Sequence, residues 1–230
     1  MKKFLILAII YLVYMGLGLP EGIHGIAWPV MGVYMELPLE FLGALTSLVF
    51  LLSAVSSSLS GRIILKVGYG RIVFVSVLLT SIGLFGIAFS YNFVWLLLFI
   101  IPLGLGQGAT DASINSFVAN NYSSRYMSWL HGFWGVGATM GTVIMTQTIA
   151  QISWRSGYMV LAALQLVLAG IVIVSVLKDF WNIKSCSKAP LIPAKIKLKT
   201  LGLFQKRFQL ICLFCLFQDD SPLNQHSDQL

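Results

Sequence analysis

The chain has 230 residues, of which 57% are hydrophobic and only 10% are charged. This balance excludes a water-soluble globular protein, because too few polar side chains remain to cover its surface. The formal net charge of +7 does not indicate nucleic-acid binding, because the basic residues are confined to particular segments between apolar runs.

Six apolar runs are long enough to cross a hydrocarbon core roughly 30 Å thick. All six are predicted to be helices, because backbone polar groups in lipid need partners within their own segment and the runs lack the alternation of barrel strands. The predicted spans are residues 4–33, 41–61, 72–91, 93–119, 128–150 and 157–177. The sequence therefore predicts an all-α membrane protein in which residues 1–177 form one transmembrane domain.

The basic residues predict the orientation of these spans. All but one fall on the same side, namely Lys2, Lys3, Arg62, Lys66, Arg71, Arg125 and the eight lysine and arginine residues from Lys178 to Arg207. Only Arg155 lies on the other side. By the positive-inside rule, we expect a multi-pass protein of the cell membrane with its N terminus and the segment after the sixth span in the cytoplasm.

The segment after the sixth span is expected to lack a further crossing. Residues 178–206 mix lysines with prolines and are predicted to form a basic cytoplasmic linker that rests on anionic lipid. Within the atypical tail, residues 207–230, the apolar run is too short to span a bilayer. This favours a chain truncated or frameshifted near Lys206, with a short interfacial segment as the alternative. Cys186, Cys212 and Cys215 lie here, and no metal or redox role is expected of them.

The first and fourth spans share an unusual composition. Residues 16–21 and 102–111 each combine glycines and a proline with an acidic residue inside an apolar run. Matching interruptions predict two inverted repeats of three helices, with the binding site where two broken helices meet. The alternative is that the glycines serve close helix packing, which is also the expected role of Gly132, Gly135, Gly137 and Gly141 in the fifth span.

Asp111 is the strongest candidate for a functional residue, because ionisable groups inside a bilayer are costly and usually face a cavity. Gln107, Asp111 and Asn115 are spaced by four residues and so form one stripe along a helix. We expect this stripe to face the bundle interior, where Asp111 could take up and release a proton. The alternative is a structural acid that is hydrogen-bonded to its neighbours.

Two further groups of polar and aromatic residues share helix faces. Glu21, His24 and Trp28 suit a hydroxylated ligand, with hydrogen bonds at its edges and an indole against its apolar face. Alternatively, Glu21 and His24 form a solvated pair near the outer interface and Trp28 belongs to the aromatic belt. His131 and Trp134 are neighbours in the fifth span, and His131 is either a satisfied interior histidine or a ligand or gate. No local metal-binding motif is present, so neither a metal nor an enzyme is expected.

Residues 61–71, between the second and third spans, resemble the signature loop of the major facilitator superfamily. Gly61, Lys66, Gly68 and Arg71 match its glycine and basic positions, whereas Leu65 stands where an acid is usual. Residues 104–115 and 128–138 are similar to the sugar-transporter-like branch of this superfamily, which includes fucose/proton symporters.

This resemblance implies twelve helices in two six-helix domains around a central cavity, of which the chain supplies the first domain. It also implies that Glu21 and Asp111 serve substrate binding and proton coupling, with Asn115 beside the second acid. We therefore expect a secondary transporter, without a cofactor, for a small polar, sugar-like solute and protons. Its partners would be the bilayer and a second six-helix half or a second copy. An inactive fragment or a non-transporting membrane sensor or assembly module is the alternative.

Overall fold

The computed structural model describes residues 2–178 and 180–181, with side chains from Phe4 onward. Most of the predicted linker, the whole tail and all three cysteines therefore lie outside the described residues. The described part is built from α-helices: α1 Lys2–Gly18, α2 Ile23–Tyr34, α3 Glu40–Val67, α4 Tyr69–Ala88, α5 Phe93–Asn121, α6 Ser124–Gln151 and α7 Trp154–Leu177. The predicted all-α class is confirmed.

These helices cover the six predicted spans. Five segments of the described chain are long and apolar enough to cross a membrane, namely Phe4–Tyr34, which combines α1 and α2, and the helices α3, α4, α5 and α7. α6 is as long as α3, at 28 residues, but its serine, threonine, glutamine and glycine residues make it more polar. It packs against α1, α2 and α7 inside the bundle. Its polarity is consistent with a helix that faces a cavity as well as lipid.

The first crossing is broken, as predicted, at residues 19–22 between α1 and α2. Gly22 adopts φ 73°, a left-handed conformation that favours glycine, and the backbone N–H of Glu21 donates to the Gly18 carbonyl at 2.9 Å. The fourth crossing is different, because α5 runs without interruption through Pro102 and the glycines that follow it. The expectation of two matching broken helices is therefore wrong for the second of them.

Five glycines of α5 and α6 serve close helix packing instead. A Cβ atom at any of these five would overlap the backbone of a neighbouring segment. They are Gly104 and Gly108 against Val49 and Ser53 of α3, Gly106 against Ser76 and Thr80 of α4, Gly137 against Met15 of α1, and Gly141 against Leu19 just after α1. Gly132 and Gly135 face open space and have no such role.

The helix pairs in contact show the internal repeat. α3 packs on α5, and α6 packs on α1, so the middle helix of each three-helix block lies against the first helix of the other block. The third helices, α4 and α7, pack against each other. This exchange of partners is the arrangement expected of two inverted repeats.

The predicted signature loop is much shorter than expected. α3 continues to Val67 and α4 begins at Tyr69, so Gly61 and Lys66 lie in α3 and Arg71 lies in α4. Apolar residues continue past position 61 and allow the helix to extend. Only Gly68 separates the two helices, with φ 89°, a conformation that residues with a side chain rarely adopt.

Candidate functional site

A cavity of about 300 Å³ lies between the first, second, fourth and fifth crossings. Its walls carry two acids from different crossings, Glu21 and Asp111, together with Tyr14, Leu17, Ser53, Gln107, His131 and Trp134. The two acidic residues singled out in the sequence therefore face the same space. Such convergence of polar groups in a concave space is typical of a small-molecule site.

Asp111 is held in place by residues of two helices. Tyr14 Oη donates to Asp111 Oδ1 at 2.6 Å, and Asn115 Nδ2 donates to the same oxygen at 2.9 Å. Asn115 Nδ2 also lies 3.1 Å from Tyr14 Oη, so the three side chains form a closed triangle between α1 and α5. Asp111 Oδ2 accepts no hydrogen bond from the described part of the chain, which leaves it available to water or a solute.

Tyr14 is the main site residue that the sequence did not reveal. It is only 1% exposed, and a buried tyrosine in an apolar helix has the same sequence signature as a packing residue. The one available signal is its position two helical turns before Glu21. Ser53 was also missed, because a serine in an apolar span can satisfy its hydroxyl on its own helix.

His131 and Trp134 line the cavity from α6. The His131 ring lies 5.7 Å from the Tyr14 ring in an edge-on arrangement. Both residues are exposed, and Trp134 is 37% exposed. His131 is therefore not enclosed in the interior of the described bundle.

Glu21 and Gln107 stand between this cavity and a smaller one of about 70 Å³. The smaller cavity is also lined by His24 and Thr46. The Glu21 side chain accepts no hydrogen bond within residues 4–178, which distinguishes it from Asp111. Its place in the turn before α2 brings it to the boundary of the two spaces.

His24 and Trp28 do not continue the Glu21 face. Helical spacing does not relate them to Glu21, because α2 begins only at Ile23. The ring of His24 is hydrogen-bonded through Nδ1 to Tyr158 Oη of α7, at 2.9 Å. Trp28 is 3% exposed and belongs to the apolar core, so its predicted place against a solute, or in the aromatic belt, is corrected to a packing role.

The residues of the predicted conformational loop lie away from the cavity. Gly61, Lys66, Gly68 and Arg71 surround the joint between α3 and α4, whereas none of them lines either cavity. Within residues 2–178 and 180–181, no group of three or more histidine, cysteine or acidic side chains is arranged to hold a metal ion.

A bundle of long apolar helices around a polar cavity is the architecture of a multi-pass membrane protein of the kind found among secondary transporters. Residues 10–218 match the Major Facilitator Superfamily, and the chain belongs to this family. The match begins within α1 and extends beyond the described residues.

Two relatives show how distant the known members are. The niacin transporter NiaP of Acinetobacter baylyi is 23% identical over 122 residues, which are 51% of this chain and 28% of that protein. The crystal structure of a mutant of the peptide transporter POT, in complex with sulfate, matches with a TM-score of 0.67 and 17% identity. That match covers 93% of this chain and 46% of the solved one, and the chain spans about half the length of each of these proteins.

Proposed function

We propose that the chain forms the first half of a secondary active transporter that carries a small polar solute together with protons. The observation that supports this most strongly is the cavity that Glu21 and Asp111 share. Carboxylic acids within a membrane are costly, and two of them in one water-accessible space are best explained by a solute and a proton that bind there.

The lining favours a polar, hydroxylated solute, with sugars as the first class to test. Glu21, Asp111 and Gln107 offer hydrogen-bond acceptors and donors for hydroxyl groups, and the Trp134 indole can pack against an apolar ring face. At about 300 Å³, the cavity is at the lower end of the range for small-molecule sites. The two similar proteins are named as transporters of niacin and of peptides, so these classes of solute also belong in the test.

The two acids are proposed to differ in their roles. Asp111 Oδ1 is fixed by Tyr14 and Asn115, so Asp111 presents a positioned oxygen to the solute. Glu21 has no such partner and lies in the turn of a broken crossing, where a change of protonation can alter its contacts and the local backbone. Alternating access would expose this pair to water first on one side of the membrane and then on the other.

Transport by this mechanism needs a second six-helix domain, supplied by another segment, another chain or a second copy. We propose that the basic end of the bundle, which includes the α3–α4 joint, faces the cytoplasm of a cell membrane. A membrane sensor or assembly module is the second candidate, since the chain spans about half the length of its relatives.

The test is uptake into vesicles that contain the full chain, alone and with any co-encoded second half. An imposed proton gradient should drive the uptake of at least one member of a panel of sugars, pyridine carboxylates and dipeptides. Asp111→Asn and Glu21→Gln should each abolish the gradient-driven component. Glu40→Gln is the matched control, because Glu40 is an exposed acid in the first turn of α3 and lies outside the cavity.

Four results would overturn the proposal in different ways. Gradient-driven uptake that survives Asp111→Asn would remove the proposed role of Asp111 as a positioned oxygen for the solute, and uptake that survives Glu21→Gln would remove the proposed role of Glu21 in proton coupling. Uptake that is lost equally in Glu40→Gln would show a general charge effect. Failure of both preparations to bind or carry any member of the panel would favour the sensor or assembly module.

A further inference from the structure

An apolar groove of about 530 Å³ opens on the lipid-facing surface, away from the site described above. It is formed by the second half of α4, the beginning of α5 and the first half of α7. Its floor consists of small residues, including Gly86, Ala162 and Ala163. Large side chains form its walls, namely Leu78, Ile82, Phe85, Phe89, Trp95, Phe99, Met159 and Leu166.

The groove offers no free hydrogen-bonding group to an occupant. Ser81 Oγ donates to the Ala162 carbonyl at 2.8 Å, and Trp95 Nε1 donates to the Gly86 carbonyl at 3.2 Å. Both polar side chains in its wall are therefore already satisfied within the protein. The occupant of this part is therefore expected to be apolar, as an acyl chain is.

The length of the groove matches one leaflet of a bilayer. From Leu78 to Phe89, α4 rises by about 16 Å at 1.5 Å per residue. Half of a typical hydrocarbon core is roughly 15 Å. A single acyl chain that enters at the end of α4 would therefore be covered by the groove as far as the bilayer midplane.

A cation stands at the mouth of this groove. Arg155 lies one helical turn before Met159 on α7, and its Nη2 donates to the carbonyl of Ser90, next to Phe89, at 3.4 Å. Its guanidinium carbon lies 4.4 Å from the centre of the Tyr34 ring. These contacts fix its position at the end of the bundle opposite the basic loops, at the level where aromatic residues meet lipid headgroups.

Arg155 has no acidic partner among the residues whose side chains are described. Its neighbours are the rings of Tyr34, Tyr91 and Trp154 and the Ser90 carbonyl, so most of its five N–H donors stay available. Stacking on a ring uses the flat face of a guanidinium group and leaves the N–H groups along its edge free. The spacing of these N–H groups matches the oxygens of a phosphate group.

From this arrangement we propose that the groove and Arg155 together bind one anionic phospholipid. The phosphate would lie at the guanidinium edge, and one acyl chain would lie along the small-residue floor between α4 and α7. The groove lies on the outer surface of α4, α5 and α7, and it shares no lining residue with the solute cavity.

The experiment is lipid retention by the full chain. The protein is delipidated in mild detergent and incubated with equal amounts of phosphatidylglycerol and phosphatidylcholine, and bound lipid is counted by native mass spectrometry. We expect one retained lipid with about a fivefold preference for phosphatidylglycerol, the effect of one interfacial basic residue. Arg155→Gln should abolish the preference and leave some binding of both lipids.

Two variants test the remaining parts of the proposal. Ala163→Leu fills the floor from an exposed position, so it should fold normally and lower the retention of both lipids. Arg125→Gln removes an exposed arginine in the first turn of α6, outside the groove, and should change nothing. The proposal is wrong if the wild-type chain shows no preference, if Arg155→Gln keeps it, or if Arg125→Gln removes it. Dimerisation that Ala163→Leu disrupts would instead assign the groove to a second copy.

Discussion

The hydrogen bond between Tyr14 and Asp111 can be removed almost without changing shape. Tyr14→Phe keeps the buried ring and deletes only the Oη atom that lies 2.6 Å from Asp111 Oδ1. Asp111 retains its bond from Asn115, and Asn115 Nδ2 loses only the weaker of its two acceptors, which lies 3.1 Å away at Tyr14 Oη. We expect the free energy of unfolding to fall by about 1.5 kcal/mol. This value is the upper end of the range for a hydrogen bond between neutral groups and the lower end of the range for one to a charged group. The assay is unfolding of the purified chain in mixed detergent micelles by increasing amounts of SDS.

Tyr11→Phe is the matched control for this experiment. It makes the same substitution one turn earlier in α1, where Tyr11 Oη makes an exposed bond of 3.3 Å to the Tyr126 carbonyl. We expect a loss of less than about 0.5 kcal/mol there, as for most surface changes. Equal effects of Tyr11→Phe and Tyr14→Phe would refute the reasoning, because they would show that the Asp111 contact adds nothing to stability.

Further predictions concern packing, backbone and buried polar groups. Gly141→Ala should destabilise the chain by about 1–3 kcal/mol, because the added Cβ would meet the backbone just after α1. Gly135 faces open space, so Gly135→Ala should be neutral or stabilising in the same SDS titration. Gly68→Ala should cost about 1–3 kcal/mol because of its φ of 89°, and the cost should appear as faster proteolysis at the α3–α4 joint. Tyr158→Phe leaves His24 Nδ1 without its partner and should lower the unfolding free energy by about 1–3 kcal/mol; an unchanged value would show that His24 finds another partner.

The number of crossings could be predicted from the sequence because lipid imposes a minimum length and an apolar composition on each helix. The end of α3 and the beginning of α4 could not be predicted in this way. A helix that leaves the apolar layer continues until its backbone is interrupted, and here the interruption is at Gly68. The glycines in the sequence were also ambiguous, because they do not show whether a helix is broken or closely packed. The same residue type breaks the first crossing at Gly22 and allows close contact at Gly108, and only the neighbouring helix decides between these roles.

The site was predictable where the relevant residues lie on one continuous helix. Gln107 and Asp111 line the cavity together because α5 is unbroken, and Asn115 reaches Asp111 from the next turn. The same reasoning failed for Trp28, because the break before α2 changes the helical register after Glu21. Tyr14 meets Asp111 across 97 residues of sequence, a contact that only the packing of α1 on α5 creates.

The central claim is that Glu21 and Asp111 face one water-filled cavity, and carbodiimide labelling in membranes tests it most directly. A water-soluble carbodiimide should modify both acids, as read by peptide mass spectrometry. Ser53→Trp, which places a large side chain in the cavity wall, should protect both acids together and leave the exposed Glu40 unaffected. Modification of either acid only by a membrane-soluble carbodiimide, or labelling that Ser53→Trp does not change, would contradict the account.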